Sequence, residues 1–226
     1  MRSVEPDPPY DWPSYHATRL RAPTMPLRLL PAGLGDKHGP VFGRELVGPD
    51  DNDLTVGGDG EPLGQRIVVA GRLCGGDGRP IRQQLVEIWQ ANASGRYNHD
   101  MDRHAAPLDP NFTGAGRCLT DDHGRFRFVT VKPGAYPWKN HAKAWRPAHI
   151  HFSVFGTCFT ERLVTQMYFP GDPLLALDPI YQSVRDRQAA ERLVAKLDMG
   201  TTVESWALGY EFDIVVAGRR PAPWDA

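Results

Sequence analysis

The chain has 226 residues and a formal net charge of −1, with 26 basic and 27 acidic side chains. This length suits one large domain, and the interspersed charges exclude the broad basic surface of a nucleic-acid-binding protein. The 23 glycines and 21 prolines favour many turns and short strands over long helices.

The sequence predicts a cytoplasmic protein. No apolar run reaches the ~20 residues of a membrane helix, and no signal peptide is recognised at the amino terminus. The three cysteines are widely spaced and form no C-x-x-C pattern, which is typical of a reducing compartment.

We divide the chain into two parts. Residues 1–62 form a proline-rich arm in which long regular elements are not expected. The arm carries large apolar side chains, among them Trp12 and Tyr15, and is therefore predicted to pack on the domain or on a partner subunit. Residues 63–226 are predicted to form the folded domain.

The domain reads as a mainly antiparallel all-β sandwich. Short apolar or alternating stretches separated by turns predict strands at 67–70, 84–90, 125–131, 148–155, 162–169 and 206–216. Residues 98–117 read as an irregular loop. The spacing of apolar residues predicts one helix, over 186–197.

The strand at 148–155 carries the first indication of function. His149 and His151 are two residues apart, so their imidazoles share a face while Ile150 and Phe152 enter the core behind them. Two neutral imidazoles on a rigid strand are half of a metal site. The alternative is a pair of structural histidines that happen to alternate.

The residues around this pair narrow the kind of metal site. No histidine follows His151 and the next acid is Glu161, which argues against a cupin, and no His-Glu-x-x-His motif of a zinc protease is present. Two tyrosines occupy unusual settings. Tyr136 precedes a proline and is biased to extended backbone, and Tyr97 follows the strand that ends at Gln90. Both could also be packing residues.

A set of motifs, in order along the chain, closely resembles the intradiol ring-cleaving dioxygenases. They are LVEIWQAN at 85–92, GRY at 95–97, APLDPNF at 106–112, GRCLTD at 116–121, KPGAYPW at 132–138, WRPAHIHF at 145–152 and QMYF at 166–169. The resemblance extends over about residues 67–219. Within that family it is to the iron-carrying subunits of the members that cleave protocatechuate.

The resemblance implies one mononuclear non-haem Fe(III) per chain, held by Tyr97, Tyr136, His149 and His151 with a solvent hydroxide. Phenolate is a hard anionic donor that suits a ferric ion, and two phenolates and a hydroxide balance its charge. The same resemblance implies that Tyr136 is released by the bound catechol and serves as a base.

Further roles follow from the resemblance. Arg146 is expected to stabilise the activated, carbanion-like substrate, and Gln166 to order O2 or substrate. Trp138 and Ile180 are expected to line the substrate ring. Tyr15 is expected to contact the substrate, although the arm aligns poorly with the family.

The implied reaction is cleavage of protocatechuate with O2 to 3-carboxy-cis,cis-muconate, in the beta-ketoadipate pathway of aromatic catabolism. The implied assembly is an αβ hetero-oligomer with an alpha-type chain. Two alternatives stay open: a dioxygenase for another catechol (a sulfocatechol, catechol or hydroxyquinol), or a non-catalytic transthyretin-like module. Residues 31–53 and 155–160 depart from the family pattern, so the rim of the pocket is not predicted.

Overall fold

The computed structural model describes residues 8–26, 47–142, 145–155 and 162–216. Within these ranges the chain forms eleven strands. They are β1 Arg66–Gly75, β2 Leu85–Trp89, β3 Ala115–Leu119, β4 Arg125–Val131, β5 Tyr136–Pro137, β6 Trp145–Arg146, β7 His149–Phe155, β8 Arg162–Tyr168, β9 Lys196–Leu197, β10 Leu208–Glu211 and β11 Ile214–Val216. The helices are α1 Thr18–Arg21, α2 Pro179–Ser183 and α3 Arg187–Glu191, with a 3₁₀ turn at Pro173–Leu177.

The strands form two main sheets and a small hairpin. One sheet has the order β11-β1-β10-β9, with β4 also paired to β1, and the other has the order β3-β2-β7-β8. The pairs within the second sheet are all antiparallel, as is β4 with β1, while β10 and β11 run parallel to β1. The predicted all-β, mainly antiparallel fold class is confirmed.

The core lies between the two sheets. Phe126 and Phe128 of β4 meet Phe152 of β7, with ring centroids 5.8 and 6.3 Å from Phe152, and Phe212 packs on the same ring at 5.2 Å. Because side chains alternate along a strand, the burial of Phe152 fixes which face of β7 is left for its histidines.

The predicted strand at 206–216 is divided in two. Phe212 N donates to Ala70 O, and the nitrogen of Arg72 donates to the Asp213 carboxylate at 2.8 Å, so β10 pairs with the first half of β1 and β11 with the second. Gly71 permits this crossing, since a Cβ there would lie 1.9 Å from Phe212 O. Trp206, at the start of the predicted strand, is 44% exposed.

The predicted helix at 186–197 is too long. The helix α3 covers only Arg187–Glu191, and the chain then leaves it to run beside β8. Tyr168 N donates to Leu193 O and Ala195 N donates to Tyr168 O. The open edge of β8 thus supplies partners for backbone groups that a longer helix would have used. Helical residues are spread over three short α-helices in the described part of the chain.

A further strand, β3, was not predicted, because its sequence Ala-Gly-Arg-Cys-Leu has no apolar alternation. It pairs with β2 from Leu85 to Trp89. Residues 98–114 do form a loop, as predicted for most of 98–117.

Both described parts of the arm lie against the sandwich. Leu54 is buried in the main core, its nitrogen donates to Val129 O, and Asn52 O accepts from Val129 N. Further upstream, His16 N and Ala17 N donate to the backbone and side-chain oxygens of Asn140. A boundary at residue 62 stays a prediction. The departures at 31–46 and 156–160 lie outside the described residues.

None of the helices in the described ranges is both long and apolar enough to cross a membrane.

Candidate metal centre

Three neighbouring strands bring the first groups of the site together. In the register of β7 and β8, His149 lies opposite Tyr168 and His151 lies opposite Gln166, while Trp89 of β2 lies opposite His151 on the other side. Directly opposed residues share a face of the sheet. The two imidazole rings are 4.8 Å apart at 75°, as the alternation of the strand predicts.

His149 is held as a neutral imidazole. Its Nδ1 lies 2.7 Å from Pro147 O, and since a carbonyl oxygen only accepts, Nδ1 carries the proton and Nε2 keeps its lone pair. Burial, together with the nearby Arg146 and His151, lowers the pKa of His149 well below its ordinary value. A second partner on Nδ1 is the usual support of a metal-binding histidine.

His151 is held by an aromatic neighbour. The Trp89 ring is stacked on it, with centroids 4.8 Å apart and planes 2° from parallel. Offset or stacked aromatic contacts of this kind fix the orientation of a ring. Trp89 was quoted in the sequence motif but was given no role.

The loop after β2 presents Tyr97. Asn92 organises this loop: its Oδ1 accepts from the nitrogens of Ser94 and Arg96 at 3.0 and 2.9 Å. Gly95 has a φ of +81°, and a Cβ there would lie 2.2 Å from Ala135 O. The glycine therefore allows the loop of Tyr97 to lie directly against the segment that carries Tyr136.

The short β5–β6 hairpin presents Tyr136. In its register Tyr136 lies opposite Arg146. The Tyr136 hydroxyl is 3.4 Å from Nε2 of His149, and the Tyr136 ring is 5.3 Å from that of Tyr97 at 85°. The Tyr97 ring is 6.4 Å from His151. The four residues predicted to bind a metal thus converge on one place.

Arg146 is buried beside this group in a polar network. Its Nη1 is 3.2 Å from His149 Nε2, and its Nη2 donates to Gln166 Oε1 at 2.6 Å and lies 3.0 Å from the Tyr168 hydroxyl. Its Nε and Nη2 donate to the two carboxylate oxygens of Asp178 at 3.0 and 2.9 Å. Burial alone would lower the pKa of Arg146, but the charges of Asp178 and the tyrosines hold it above its ordinary value.

An apolar cluster adjoins the polar network. Tyr15 and Ile180 form a buried cluster, against which Trp12 and Trp138 pack. Trp138 is 4.8 Å from Tyr15, edge to face, and Arg146 Cζ lies 5.2 Å over the Trp138 ring. The three residues predicted to contact substrate are therefore neighbours, and they lie next to Arg146.

The donor set fits the ferric ion that the family resemblance implies. Among the residues that the structure describes, no three His, Cys, Asp or Glu side chains form a metal cluster. The side chains beside His149 and His151 that could complete a ligand set are the phenols of Tyr97 and Tyr136. Two phenols and two imidazoles include no soft sulfur donor. The set therefore suits a hard trivalent cation better than a soft metal ion.

A separate cavity of about 600 Å³ lies between residues 50–57 and the strands β2 and β3. Its charged side chains include Asp51 and Arg117, which are paired with each other at 2.7 Å. It shares only Trp89 with the residues described above. The other residues of the candidate metal centre do not line this cavity.

Comparison with known proteins agrees with this geometry. The model of the Dioxygenase family matches residues 37–218. The chain is 57% identical to the protocatechuate 3,4-dioxygenase beta chain of Burkholderia cepacia, over 96% of both chains. It is also 29% identical to the protocatechuate 3,4-dioxygenase alpha chain of Pseudomonas putida, over 86% of this chain and 96% of that one.

The chain belongs to the intradiol dioxygenase family.

A solved structure supports the fold. The 3-chlorocatechol 1,2-dioxygenase of Rhodococcus opacus 1CP matches with a TM-score of 0.57 over 80% of this chain and 71% of that one, at 23% identity. Membership of the family makes this chain a ring-cleaving dioxygenase and disfavours the non-catalytic module that the sequence left open.

Sequence reasoning missed three residues of the centre: Trp89, Tyr168 and Asp178. Asp178 precedes Pro179, and Asp followed by Pro is a sequence signal for the start of a helix, which α2 confirms. That signal does not predict an ion pair with Arg146, 32 residues earlier in the chain. The pairing depends on how the chain returns after β8.

Proposed function

We propose that the chain is the iron-carrying subunit of a dioxygenase that cleaves protocatechuate with O2 to 3-carboxy-cis,cis-muconate. The observation that carries the proposal is the convergence of Tyr97, Tyr136, His149 and His151 next to a buried Arg146. The 57% identity to a protocatechuate 3,4-dioxygenase beta chain over nearly the full length supports this substrate over catechol, hydroxyquinol or a sulfocatechol.

Tyr97, Tyr136, His149 and His151 would hold one Fe(III). When bound, the ferric ion acts as a Lewis acid that stabilises phenolate and catecholate anions and activates the bound catecholate toward O2. One backbone contact orients His149 for metal binding. The Pro147 carbonyl keeps the proton of His149 on Nδ1, so the lone pair of Nε2, which faces Tyr136 and Arg146, can bind a metal.

Tyr136 is proposed to accept a proton from the substrate. Its oxygen lies 3.4 Å from His149 Nε2, so a catechol bound at the proposed iron would bring a hydroxyl near this oxygen. A tyrosinate is a strong enough base to take that proton because an ordinary phenol has a pKa of about 10.

Arg146 and Gln166 are proposed to stabilise charge that develops on the substrate. Arg146 presents a fixed positive charge beside His149, and Gln166 accepts one of its hydrogens through Oε1. Such a preorganised cation in a buried site stabilises an anionic transition state without reorganisation. Trp138, Ile180 and Tyr15 are proposed to hold the ring, since they form the apolar cluster that adjoins Arg146.

We further propose a cytoplasmic location and assembly with an alpha-type chain. The relative in Burkholderia cepacia is named a beta chain, and the similarity to an alpha chain implies a partner of similar fold. Trp145 and Leu177 support a contact beside the site: they are 46% and 47% exposed although Arg146, next to Trp145, is buried. The free Cys74 and Cys118 agree with a reducing compartment.

The proposal is tested by O2 uptake and product analysis of the iron-loaded protein, alone and with an alpha-type chain. Protocatechuate, catechol and hydroxyquinol are offered at equal concentration. We expect protocatechuate to be cleaved between its two hydroxyl-bearing carbons with the highest kcat/KM. Preferential cleavage of catechol or hydroxyquinol would overturn the proposed substrate.

A further inference from the structure

The carboxylate of Asp178 is a buried, hydrogen-bonded group beside the candidate metal centre, and no role has yet been assigned to it. Asp178 is fully buried, and its Oδ1 accepts from Arg146 Nε while its Oδ2 accepts from Arg146 Nη2. The same Oδ2 lies 2.8 Å from the hydroxyl of Tyr168 and accepts from Tyr181 N at 3.2 Å. One buried side chain therefore joins β6, β8 and α2.

This pairing decides which edge of the guanidinium faces the metal centre. Asp178 binds the edge formed by Nε and Nη2, and the second hydrogen of Nη2 is directed to Gln166. Nη1 is then left to face His149 Nε2, at 3.2 Å. Since the guanidinium is planar and its fork is rigid, a carboxylate that holds one edge fixes the direction of the other.

Asp178 also sets the start of the helix that carries Ile180. Its side chain caps α2, and its backbone oxygen accepts from Gln182 N. Ile180, in the first turn of that helix, packs with Tyr15 in the apolar cluster. A shift of the Asp178 carboxylate would therefore move both the Arg146 guanidinium and Ile180 of the apolar cluster.

We propose that Asp178 is a positioning residue: its carboxylate holds Arg146 with Nη1 directed at the metal-binding face and keeps Ile180 in register with it. The inference rests on the proposed function, because it assigns a role for that reaction to a residue that does not itself touch the substrate. Asp178 acts on the chemical step and leaves the metal ligands in place.

The test compares Asp178→Asn with wild type as purified, iron-loaded protein. Asparagine keeps the size of the side chain and removes its charge. We expect bound iron within about twofold of wild type and kcat per bound iron lower by about 10²-fold, because a small misplacement of a catalytic group has an effect of this size. The dissociation constant of the anaerobic protocatechuate complex should change by less than about threefold, since the proposed metal ligands and most of the apolar cluster stay in place.

A crystal structure of the variant gives a readout independent of activity. We expect the Arg146 guanidinium to turn away from Gln166 while the ring of His149 keeps its position. The matched control is Asp186→Asn. Asp186 caps α3, a helix of the same length, by accepting from Gln188 N and Ala189 N, and it belongs to no contact of the metal centre. Its kcat per bound iron should equal that of wild type.

Two results would overturn the inference: kcat per bound iron of Asp178→Asn within about threefold of wild type, or an unmoved guanidinium in its structure. If Asp178→Asn does not fold, Asp178→Glu is used to test the inference instead. It keeps the charge but displaces the carboxylate by one methylene, so kcat per bound iron should fall by about tenfold or more; a value equal to wild type contradicts positioning. A wild-type protein without iron colour or ring cleavage would instead refute the proposed function.

Discussion

The indole of Trp89 lies flat on the imidazole of His151, with the ring centroids 4.8 Å apart and the planes 2° from parallel. The contact follows from the sheet register, in which the two residues are directly opposed on β2 and β7. It means that His151, a proposed metal ligand, is oriented by a neighbouring strand, whereas the other proposed histidine ligand, His149, is oriented by the carbonyl of Pro147 in its own segment.

Replacing Trp89 should weaken metal retention. In Trp89→Leu the His151 ring loses the surface that holds its plane, and the affinity for iron should fall by about 10–100-fold, the usual effect of removing a group that orients a ligand. Trp89→Phe keeps an aromatic face and should stay within about threefold of wild type. Iron release to a chelator, followed by absorbance, measures both. Equal release rates for Trp89→Leu and wild type would show that the stacking has no role in binding.

Substitution of Tyr97 and substitution of Tyr136 should have different effects. Tyr97→Phe removes a proposed permanent phenolate ligand, so iron content and visible absorbance should both fall. Tyr136→Phe removes the proposed base, so kcat per bound iron should fall by about 10²-fold even where iron is retained. Iron analysis, visible spectra and O2 uptake separate these effects.

The matched control for the two tyrosines is Tyr210→Phe. Tyr210 is buried in the core and packs edge to face on Phe169 at 5.2 Å, outside the metal centre. Its loss should leave colour and kcat unchanged. If all three variants behave alike, the effects are those of general destabilisation and the ligand assignment is wrong.

Gly71 should tolerate no side chain. In Gly71→Ala the new Cβ would meet Phe212 O at 1.9 Å and Phe126 Cζ at 2.9 Å, so β10 and β11 must move apart from β1. The free energy of unfolding should fall by about 1–3 kcal/mol, as for other overpacked cores. Gly75→Ala, in the same strand, meets only the Asp77 side-chain oxygen at 3.1 Å and should change stability by less than about 0.5 kcal/mol. Denaturant unfolding of both variants is the measurement; equal losses would contradict the crossing at Gly71.

The described cysteines should react at different rates. Burial raises the pKa of the Cys118 thiol to about 12, although a hydrogen bond from Arg127 N opposes the shift. At pH 8 only about one Cys118 in 10⁴ is then a thiolate, so alkylation in the folded protein should be slow. Cys74 is only partly buried and should be alkylated first.

Mass mapping of alkylated peptides at several pH values checks this order. Because the folded pKa of Cys118 lies above the unfolded one, its contribution to stability is complete below pH 9 and is lost as the pH rises toward 12. Labelling of Cys118 should therefore increase steeply only at high pH or on unfolding. Equal labelling of both cysteines at pH 8 would contradict the buried position of Cys118.

The sequence predicted those parts of the site that depend on local geometry. The alternation of β7 was enough to place His149 and His151 on one face with Phe152 in the core, and the strand at 125–131 was predicted at its observed bounds. The roles of Tyr97, Tyr136 and Arg146 were predicted only through resemblance to a family. Gly95, which lets the loop of Tyr97 lie against Ala135, gives that resemblance a physical basis.

The remaining features depend on tertiary contacts that local patterns do not contain. The end of α3 is set by the open edge of β8, where Leu193 and Ala195 find backbone partners on Tyr168. The role of Asp178 depends on the return of the chain after β8, which brings it to Arg146. The division of the last strand depends on a glycine more than 130 residues earlier, at position 71.

The most direct test of the ferric site is a visible spectrum of the iron-loaded protein, recorded before and after anaerobic addition of protocatechuate. If Tyr97 and Tyr136 bind Fe(III) as phenolates, the resting protein should show a tyrosinate-to-iron charge-transfer band, and chelation of the catechol should shift the absorption to longer wavelength. An iron-loaded protein that stays colourless, or a band that also persists in the double variant Tyr97→Phe/Tyr136→Phe, would contradict the account.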